Sequence, residues 1–290
     1  MVETRRAYFD GPHGQIHAWI AGQARPGVLP LFCAHQSPKH GGEFSNFMKA
    51  AAQHRLVVAP DYPGYGMSDT PPDESDVTIE YYADAMWSVI DQMGHEKVDL
   101  FGNHTGSKVI AAMAMARPER VGSLVMISAT ILTPEEHRMF SDYFQPVPLD
   151  EAGTRFTTMW SRIVERRGPG ATLEMMARSF AMNLMGGEAY EWGHHAAFAW
   201  WKEDETALRT LEDPSLSVDV FVTDVVMPGM DGPSWVREAL KDRPETRVVF
   251  VSGYAEGAFG GAQPVVPNSV FLPKPFSLNQ LTETVHRQLH

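Results

Sequence analysis

A histidine stands between two glycines in the stretch FGNHTG, residues 101–106. The apolar run KVDLF leads into it and the helix-forming run SKVIAAMAMA follows it, which predicts a sharp turn from a buried strand into a helix. Gly102 and Gly106 permit the close backbone approach that such a turn requires. We therefore expect His104 to face a pocket at the end of the strand. Its imidazole should be neutral, because a helix N-terminus disfavours the charged form.

His104 has three chemical interpretations. A neutral imidazole carries a lone pair, so His104 could attack a carbonyl carbon without a separate base and form an acyl-imidazole. It could instead be a general base or a ligand beside His35, which ends the earlier strand LPLFCAH. It could also mark a fold without catalysis. His194 or His195 could join His35 and His104 around a metal, but their spacing specifies none and we predict no metal site.

The composition limits the classes of partner. The 290 residues contain 24 Lys and Arg against 36 Asp and Glu, and the net charge of −12 argues against nucleic acid and an anionic membrane as partners. Cys33 is the single cysteine, which excludes an intrachain disulfide. The opening residues do not resemble a signal peptide, and the longest apolar runs reach about half of the roughly 20 residues that span a bilayer. We expect a cytoplasmic protein.

Short apolar strands alternate with amphipathic helices along much of the chain, which predicts a doubly wound, mostly parallel α/β sheet covered on both faces. A hairpin is expected at 5–21. Residues 1–132 are expected to form the core of this sheet. Residues 133–205 lack strand patterns and are rich in Met and aromatic residues, which predicts a helical cap that either packs as core or lines an apolar pocket. Strands and helices alternate again in residues 206–290.

Motifs in residues 1 to about 212 resemble the α/β-hydrolase family. LFCAH leads into QSP, where the family has its oxyanion-hole loop, and APDYPGYGMSD resembles the turn after its next strand. FGNHTG resembles its nucleophile elbow with His in place of Ser, and proteins with H-T-G here and H-Q-S-P earlier look like a recognisable subgroup. The resemblance implies a capped pocket. It also implies oxyanion donors among the backbone N–H groups of Thr105 and Gln36, with Ser37 in the same loop.

Residues from about 218 to 290 resemble the last part of a response-regulator receiver of the hybrid histidine kinase type. VDVFVTDVVMPGMDG, VVFVSGYAE and FLPKPFS resemble its phospho-acceptor strand and loop, its next strand and its Lys-Pro loop. The resemblance implies that Asp224 accepts a phosphoryl group from a histidine kinase or phosphotransfer protein, that Ser252 senses it and that Lys274 pairs with it. The receiver's first strand, whose acidic pair holds Mg²⁺, is missing from this pattern. Asp224 is therefore expected to be a poor acceptor, and no cofactor is implied apart from Mg²⁺ if this site functions.

Both resemblances are incomplete, and the two parts are expected to complete each other. The only histidines after VVFVSG lie in or beyond the last helix, so a Ser-His-Asp type triad cannot form in its usual order. Each part also leaves an open sheet edge, which is unstable when uncovered. We expect strands 218–224, 247–252 and 269–272 to add in that order beside SLVMIS. Asp224 would then share a rim with His104, and a contact between them is a hypothesis. A natural fusion and an engineered chimera both fit this junction.

The leading hypothesis for function is hydrolysis of small esters or related acyl compounds by His104, with Asp224 and His35 as candidate catalytic partners. One alternative is a receiver-like module of a two-component phosphorelay. Another is a non-catalytic protein that binds a small molecule in the capped pocket. The predicted partners are thus a small substrate or ligand and a histidine kinase or phosphotransfer protein.

Overall fold

The chain begins with an antiparallel hairpin, which confirms the prediction for this region. β1 (Thr4–Gly11) pairs with β2 (Gly14–Ala21) along their whole length. Gly14 closes the turn with a φ of +101°, a conformation that glycine adopts without strain. The structure is a computed structural model. It describes residues 3–128, 134–165, 167–168, 170–200, 218–225, 232–252, 266–273 and 278–289.

Buried strands follow, and their sequences explain why both of their faces are covered. β3 (Leu31–Ala34) and β4 (Val57–Pro60) read LFCA and VVAP and are buried at every position. Side chains alternate between the two faces of a strand, so a strand without polar positions needs cover on both. β5 (Val98–Asn103) and β6 (Val121–Ile127) run parallel to β3. Parallel pairing brings the carboxyl ends of these strands to one edge of the sheet.

Helices α1 (Ser45–Ala51), α2 (Ile79–Gln92) and α3 (Thr105–Ala116) cover this part of the sheet. α2 begins where the hydroxyl of Thr78 accepts a hydrogen bond from the N–H of Tyr81, which caps the helix. Short 3₁₀ helices lie at Gly41–Phe44, Glu74–Asp76, Pro118–Arg120 and Gly187–Ala189. Within the described residues, no helix has both the length and the apolar character needed to cross a membrane.

A helical cap lies over the strand ends, formed by α4 (Pro134–Tyr143), α5 (Thr154–Glu165), α6 (Leu173–Leu184) and α7 (Trp192–Trp200). Hydrogen bonds tie α7 to the helices below it. Nζ of Lys108 donates to the carbonyl oxygen of Ala197 over 2.9 Å, and Nε1 of Trp200 donates to Oε1 of Glu80 over 2.6 Å. The boundaries expected at 132 and 205 lie outside the described residues, so the division of the chain at these points stays a prediction.

The sheet continues past β6 into strands of the C-terminal part. β7 (Val220–Asp224) pairs in parallel with β6, and β8 (Arg247–Ser252) and β9 (Ser269–Pro273) follow in turn. The strand order is β1-β2-β4-β3-β5-β6-β7-β8-β9, in which the last strands add in the order expected from the sequence. Helices α8 (Gly232–Asp242) and α9 (Leu278–Leu289) pack on these strands.

One hydrophobic core runs beneath both parts of the sheet. Phe221 of β7 and Trp235 of α8 belong to the same buried cluster as Leu124 of β6. Val125 and Ile127 of β6 pack against another cluster, which is formed by valines of β7 and β8 together with Leu272 and Leu281. β7 therefore lies along the edge of β6 that was expected to need a partner, and the two strands pair at Ile127 and Val222.

Candidate active site at the turn from β5 into α3

His104 occupies the sharp turn between β5 and α3. Its backbone has a φ of +50° and a ψ of −113°, a combination that is strained for any residue with a Cβ atom. Two hydrogen bonds of 2.9 Å hold the turn: the N–H of His104 donates to the carbonyl oxygen of Ile127, and the N–H of Ser107 donates to that of His104. The turn lifts His104 out of the sheet and leaves its side chain exposed.

The glycines on either side are required because no side chain fits there. A Cβ atom added to Gly106 would lie 1.9 Å from the carbonyl oxygen of Ala34. One added to Gly102 would lie 2.5 Å from the carbonyl oxygen of Gly106. Since these obstacles are backbone atoms, they cannot move aside as a flexible side chain would. The start of α3 therefore packs directly against β3 and β5, which fixes the position of His104.

A cavity of about 640 Å³ opens at His104, between the strand ends and the cap. Much of its wall is apolar and aromatic and comes from the cap: Phe140, Phe144, Met159, Ile163, Met176 and Phe198. Polar residues converge on it from both sides, among them Ser37, Lys39, His104, Lys108, Arg162 and His194. A cavity that combines an apolar wall with convergent polar groups is typical of a small-molecule site.

The loop after β3 meets the first residue of α3, which follows His104. Thr105 is the first residue of α3, so its N–H has no acceptor within the helix. The N–H of Ser37 approaches Oγ1 of Thr105 at 3.4 Å, which brings the loop after β3 to the same place. Paired N–H groups beside a nucleophile can stabilise the negative charge that develops on a carbonyl oxygen during acyl transfer.

Gln36, which the sequence suggested as the partner of Thr105 in this role, is engaged elsewhere. Its backbone N–H donates to Oε1 of Glu43 over 2.9 Å, and its side-chain Nε2 donates to Oε2 over 2.8 Å. The N–H of Ser37 also has an acceptor, Oγ1 of Thr105, but at 3.4 Å this hydrogen bond is longer than those of Gln36. Burial raises the pKa of Glu43 to about 7, although the hydrogen bonds from Gln36 lower it. Sequence reasoning assigned no role to Glu43, because no motif links it to Gln36.

His35 is buried below the cavity and is not among the described residues that line it. Its Nδ1 donates to the carbonyl oxygen of Gln36 over 2.9 Å, and its Nε2 accepts from the N–H of Tyr62 over 2.9 Å. Burial lowers the pKa of His35 to about 4, so the ring stays neutral. Both nitrogens thus hold backbone loops in place. This arrangement differs from the pairing with His104 that the sequence suggested.

Two lysines reach the cavity, and sequence reasoning missed both. Lys108 lies one turn after His104 on α3, and burial lowers its pKa to about 7. Nζ of Lys39 donates to Oδ1 of Asn183 over 2.6 Å and to the carbonyl oxygen of Ser179 over 3.0 Å, and burial lowers its pKa to about 8. The sequence did contain one indication for Lys108: it lies four residues after His104, and residues four apart share a helix face.

Glu191, His194 and Arg162 form a hydrogen-bonded group on the cap side of the cavity. Nδ1 of His194 lies 2.5 Å from Oε2 of Glu191, and Nη1 of Arg162 donates to Oε1 of the same carboxylate over 3.3 Å. Glu191 is only 3% exposed, so its charge is buried together with these two partners. The imidazole of His194 stacks on the ring of Phe144, with the centroids 4.1 Å apart.

The histidines considered for a metal site do not assemble in one place. His195 lies beside His194 in the sequence, but its Nδ1 is 2.6 Å from Oε1 of Glu74 and it does not appear among the described residues of the cavity wall. In the described part of the chain, no group of three or more His, Cys, Asp or Glu residues is placed to hold a metal ion.

Comparison with known proteins divides the chain in two. Residues 30–156 match the family model of the alpha/beta hydrolase fold, and residues 190–286 match that of the response regulator receiver domain. The chain combines segments of two families. We refer to residues 30–156 as the hydrolase segment and to residues 190–286 as the receiver segment.

Curated relatives match one segment at a time. Sensor kinase CckA of Brucella abortus is 51% identical over 83 residues, which cover 29% of this chain and 9% of the kinase. The 2-hydroxymuconate semialdehyde hydrolase of Pseudomonas sp. is 33% identical over 104 residues, which cover 35% of this chain and 36% of that enzyme. The chain thus spans little more than a third of the hydrolase and less than a tenth of the kinase.

The likeness to solved structures extends beyond the hydrolase segment. The crystal structure of the epoxide hydrolase VrEH1 from Vigna radiata is similar with a TM-score of 0.66 and 19% identity, over 88% of this chain and 91% of that chain. The hydrolase segment by itself is too short to account for this coverage, so residues of the receiver segment must also be matched. Strands of the receiver segment therefore occupy positions that belong to the hydrolase fold in that structure.

The receiver segment begins earlier than expected. The family match starts at residue 190, whereas the sequence resemblance was placed from about 218. The described residues up to 200 form α7 in the cap rather than the opening strand of a receiver. β6 of the hydrolase segment lies beside β7 and covers the edge that a receiver's first strand would cover.

The predicted phospho-acceptor site of the receiver segment is described only in part. Asp224 ends β7 and Ser252 ends β8, so the backbone brings both to neighbouring strand ends. This edge of the sheet also carries His104, since β6 lies between β5 and β7. The side chains of Asp224 and Ser252, and the whole of Lys274, lie outside the described residues. Their roles, and a contact between Asp224 and His104, stay predictions.

Proposed function

We propose that this protein hydrolyses small esters or related acyl compounds, with His104 as the nucleophile. One observation carries the proposal: His104 is held at a strained turn in the wall of the capped cavity, directly before the first N–H of α3. Backbone strain that a fold maintains at one exposed residue is characteristic of functional sites.

In the proposed reaction, the carbonyl oxygen of the substrate accepts hydrogen bonds from the N–H groups of Thr105 and Ser37, and the latter gives up its 3.4 Å hydrogen bond to Oγ1 of Thr105. A neutral nitrogen of His104 attacks the carbonyl carbon, and the N–H groups stabilise the charge that develops on the oxygen. The bond to the leaving oxygen breaks, the leaving group takes up a proton and departs as an alcohol, and the acyl group stays on the imidazole. Water then attacks the acyl-imidazole, which releases the carboxylic acid and regenerates His104.

The proposed chemistry does not require a Ser-His-Asp type triad in its usual order. A serine hydroxyl needs a base to remove its proton, whereas a neutral imidazole offers its lone pair directly. His35 is thus free to serve as a structural residue, with both of its nitrogens bonded to backbone groups.

The size and lining of the cavity support a small substrate with an apolar acyl group. Its volume of about 640 Å³ lies within the range of roughly 300–1,000 Å³ that is usual for small-molecule sites. Phe140, Phe144 and Phe198 offer an apolar wall for an acyl chain. The similarity of the hydrolase segment to a 2-hydroxymuconate semialdehyde hydrolase supports a hydrolytic reaction on a small molecule.

Hydrolysis of p-nitrophenyl butyrate tests the proposal. We expect His104→Ala to lower kcat/KM by at least about 100-fold. Exposed histidines react slowly with such esters, so His13→Ala, which changes an exposed histidine of the hairpin turn, is the matched control and should retain full activity. Mass spectrometry after rapid quenching should find the butyryl group on the peptide that contains His104. Equal rates for the wild type and His104→Ala would overturn the proposal, and saturable binding of the ester without turnover would favour the non-catalytic alternative.

A second function is favoured by the identity of 51% between the C-terminal part and a sensor kinase. In this function, Asp224 accepts a phosphoryl group from a histidine kinase or phosphotransfer protein. Such a transfer depends on Mg²⁺, and the acidic pair expected to hold it is missing from the sequence pattern. Incubation with acetyl phosphate and Mg²⁺ tests it: a phosphoryl label that disappears in Asp224→Asn supports the function, and an unlabelled wild type contradicts it.

A further inference from the structure

The proposed reaction requires a group that gives a proton to the leaving oxygen, and the cap carries a candidate. We propose that His194, oriented by Glu191, donates a proton to the leaving group of the substrate and then accepts one from the attacking water. This inference rests on the hydrolytic function proposed for His104.

The hydrogen bond to Glu191 decides which nitrogen of His194 takes part. Nδ1 lies 2.5 Å from the carboxylate, so Nδ1 carries a hydrogen and donates it to Glu191. Nε2, on the opposite side of the ring, is then the nitrogen that gains and loses a proton. Among the described residues, none forms a hydrogen bond with Nε2, and His194 lines the cavity. A histidine oriented by a carboxylate on its far side is the arrangement that supports general acid–base catalysis.

The neighbours of this pair hold it in one orientation. Arg162 donates to the second oxygen of Glu191 over 3.3 Å and to the carbonyl oxygen of Tyr143 over 2.6 Å, which fixes the carboxylate. The imidazole stacks on Phe144, with centroids 4.1 Å apart, and lies nearly parallel to the ring of Phe198 at 6.3 Å. A proton donor that is already oriented loses less entropy when the substrate reacts.

Contacts on both sides of His194 hold α7 against the loop and the helix that flank the nucleophile. On one side, a Cβ atom added to Gly193 would lie 2.1 Å from Oγ of Ser37, so α7 starts directly against the loop that carries the proposed oxyanion donor. On the other side, the carbonyl oxygen of Ala197 accepts the hydrogen bond from Lys108. Lys108 is one turn beyond His104 on α3, and Ala197 is close to one turn beyond His194 on α7.

The protons balance over one cycle. His104 attacks the ester carbon as the bond to the alkoxy oxygen breaks, and the protonated Nε2 of His194 transfers its proton to that oxygen. An alcohol leaves, His194 becomes neutral and His104 carries the acyl group as an acylimidazolium. Water then attacks the acyl carbon while Nε2 removes one of its protons, and the electrons of the breaking C–N bond return to His104. The products are the alcohol and the carboxylic acid, and both histidines regain their initial states.

The leaving group offers a direct test. p-Nitrophenolate can leave without a proton, whereas an alkoxide must be protonated as it leaves. Loss of a proton donor should therefore slow the hydrolysis of an alkyl ester far more than that of an aryl ester. We compare kcat/KM, which reports the acylation step, for ethyl butyrate and p-nitrophenyl butyrate. His194→Gln should lower the value for the ethyl ester about 100-fold and that for the aryl ester less than about fivefold. Glu191→Gln should lower the value for the ethyl ester about tenfold.

His195→Gln is the matched control, because it changes the next histidine of α7, which does not line the cavity and whose ring nitrogens meet Glu74 and the backbone carbonyl oxygen of Phe144. Its ratio of ethyl to aryl ester activity should equal that of the wild type. Free imidazole should restore ethyl ester hydrolysis in His194→Gly. If His194→Gln fails to fold, as judged by circular dichroism, the ratio measured in Glu191→Gln decides the question.

The outcomes separate this inference from the proposed function. Aryl ester turnover that depends on His104, together with an unchanged activity ratio in His194→Gln and Glu191→Gln, would overturn the role of His194 alone. A selective loss of ethyl ester activity in Lys108→Met, but not in His194→Gln, would assign the proton to Lys108 and also overturn it. A wild type that hydrolyses neither ester through His104 would overturn both proposals.

Discussion

The backbone N–H of His104 donates to the carbonyl oxygen of Ile127 over 2.9 Å, so the candidate nucleophile is bonded to the last residue of β6. Ile127 is also the residue of β6 that lies opposite Val222 of β7. The position of His104 in the hydrolase segment therefore depends on a strand pair that the receiver segment completes.

Val222→Ala is expected to destabilise both segments together. Val222 is 3% exposed, and the loss of its buried methyl groups should lower the free energy of unfolding by about 2 kcal/mol. Because one core links the segments, native-state hydrogen exchange should accelerate for the amides of α2 and α8 alike. Val28→Ala, at a position 42% exposed, should have little effect. Acceleration confined to α8 would show that the segments unfold separately.

His104→Gly should yield a more stable protein than His104→Ala. The φ of +50° and ψ of −113° strain any residue with a Cβ atom, and glycine relieves this strain. We expect a difference of about 1 kcal/mol in favour of glycine by urea denaturation. The order should reverse at Met115, an exposed position within α3, where glycine is less favourable than alanine. Equal stabilities at position 104 would mean that the turn is not strained.

Asp61 should hold the first strands and the loop before α1 together. This buried carboxylate accepts hydrogen bonds from Nδ1 of His17, Nε1 of Trp19 and the backbone N–H groups of Gly41 and Met67. Asp61→Asn replaces an acceptor oxygen by an NH₂ group that faces donors, which should lower the free energy of unfolding by about 3 kcal/mol or more. Denaturant titration at pH 7 measures this loss.

The stability that Asp61 contributes should depend on pH. Burial alone would raise its pKa, but the hydrogen bond from His17 and the other donors outweigh burial and hold the pKa below its usual value. The contribution is therefore fully present above the ordinary pKa of about 4 and is lost as the pH falls below that value. The loss of unfolding free energy caused by Asp61→Asn should therefore become smaller as the pH falls from about 5 to about 2. Asp84→Asn, on the exposed face of α2, is the control. A penalty that stays constant with pH would contradict this account.

The turn at His104 and the strand order could be predicted because they depend on local patterns. Glycines at 102 and 106 between a strand and a helix leave few alternatives, and the apolar runs of β7, β8 and β9 have to be buried in a sheet. The spacing of Glu191 and His194 was also present in the sequence, since residues three apart on a helix are neighbours. It became informative only when the cap placed both residues at the cavity.

The partners of the loop after β3 could not be predicted, because they depend on which direction each backbone group faces. Gln36 and Ser37 are adjacent, yet one N–H meets Glu43 and the other meets Thr105. His35 ends a strand at the same edge of the sheet as His104, but its ring lies below the cavity. A shift of the loop by one residue would exchange the backbone partners of Gln36 and Ser37, and the sequence pattern does not show which residue of a loop faces which partner.

The stability of Glu43→Gln relative to that of the wild type should increase as the pH rises. Burial raises the pKa of Glu43 from 4.5 to about 7, so between these values the unfolded chain releases a proton that the folded protein keeps. The free energy of unfolding of the wild type should therefore fall as the pH rises from 4.5 to 7 and level off above it. The glutamine side chain of the variant cannot ionise, so the variant should gain up to about 3 kcal/mol relative to the wild type over this range. Glu119→Gln, at an exposed position, should show no such trend, and a parallel pH dependence of the wild type and Glu43→Gln would contradict the prediction.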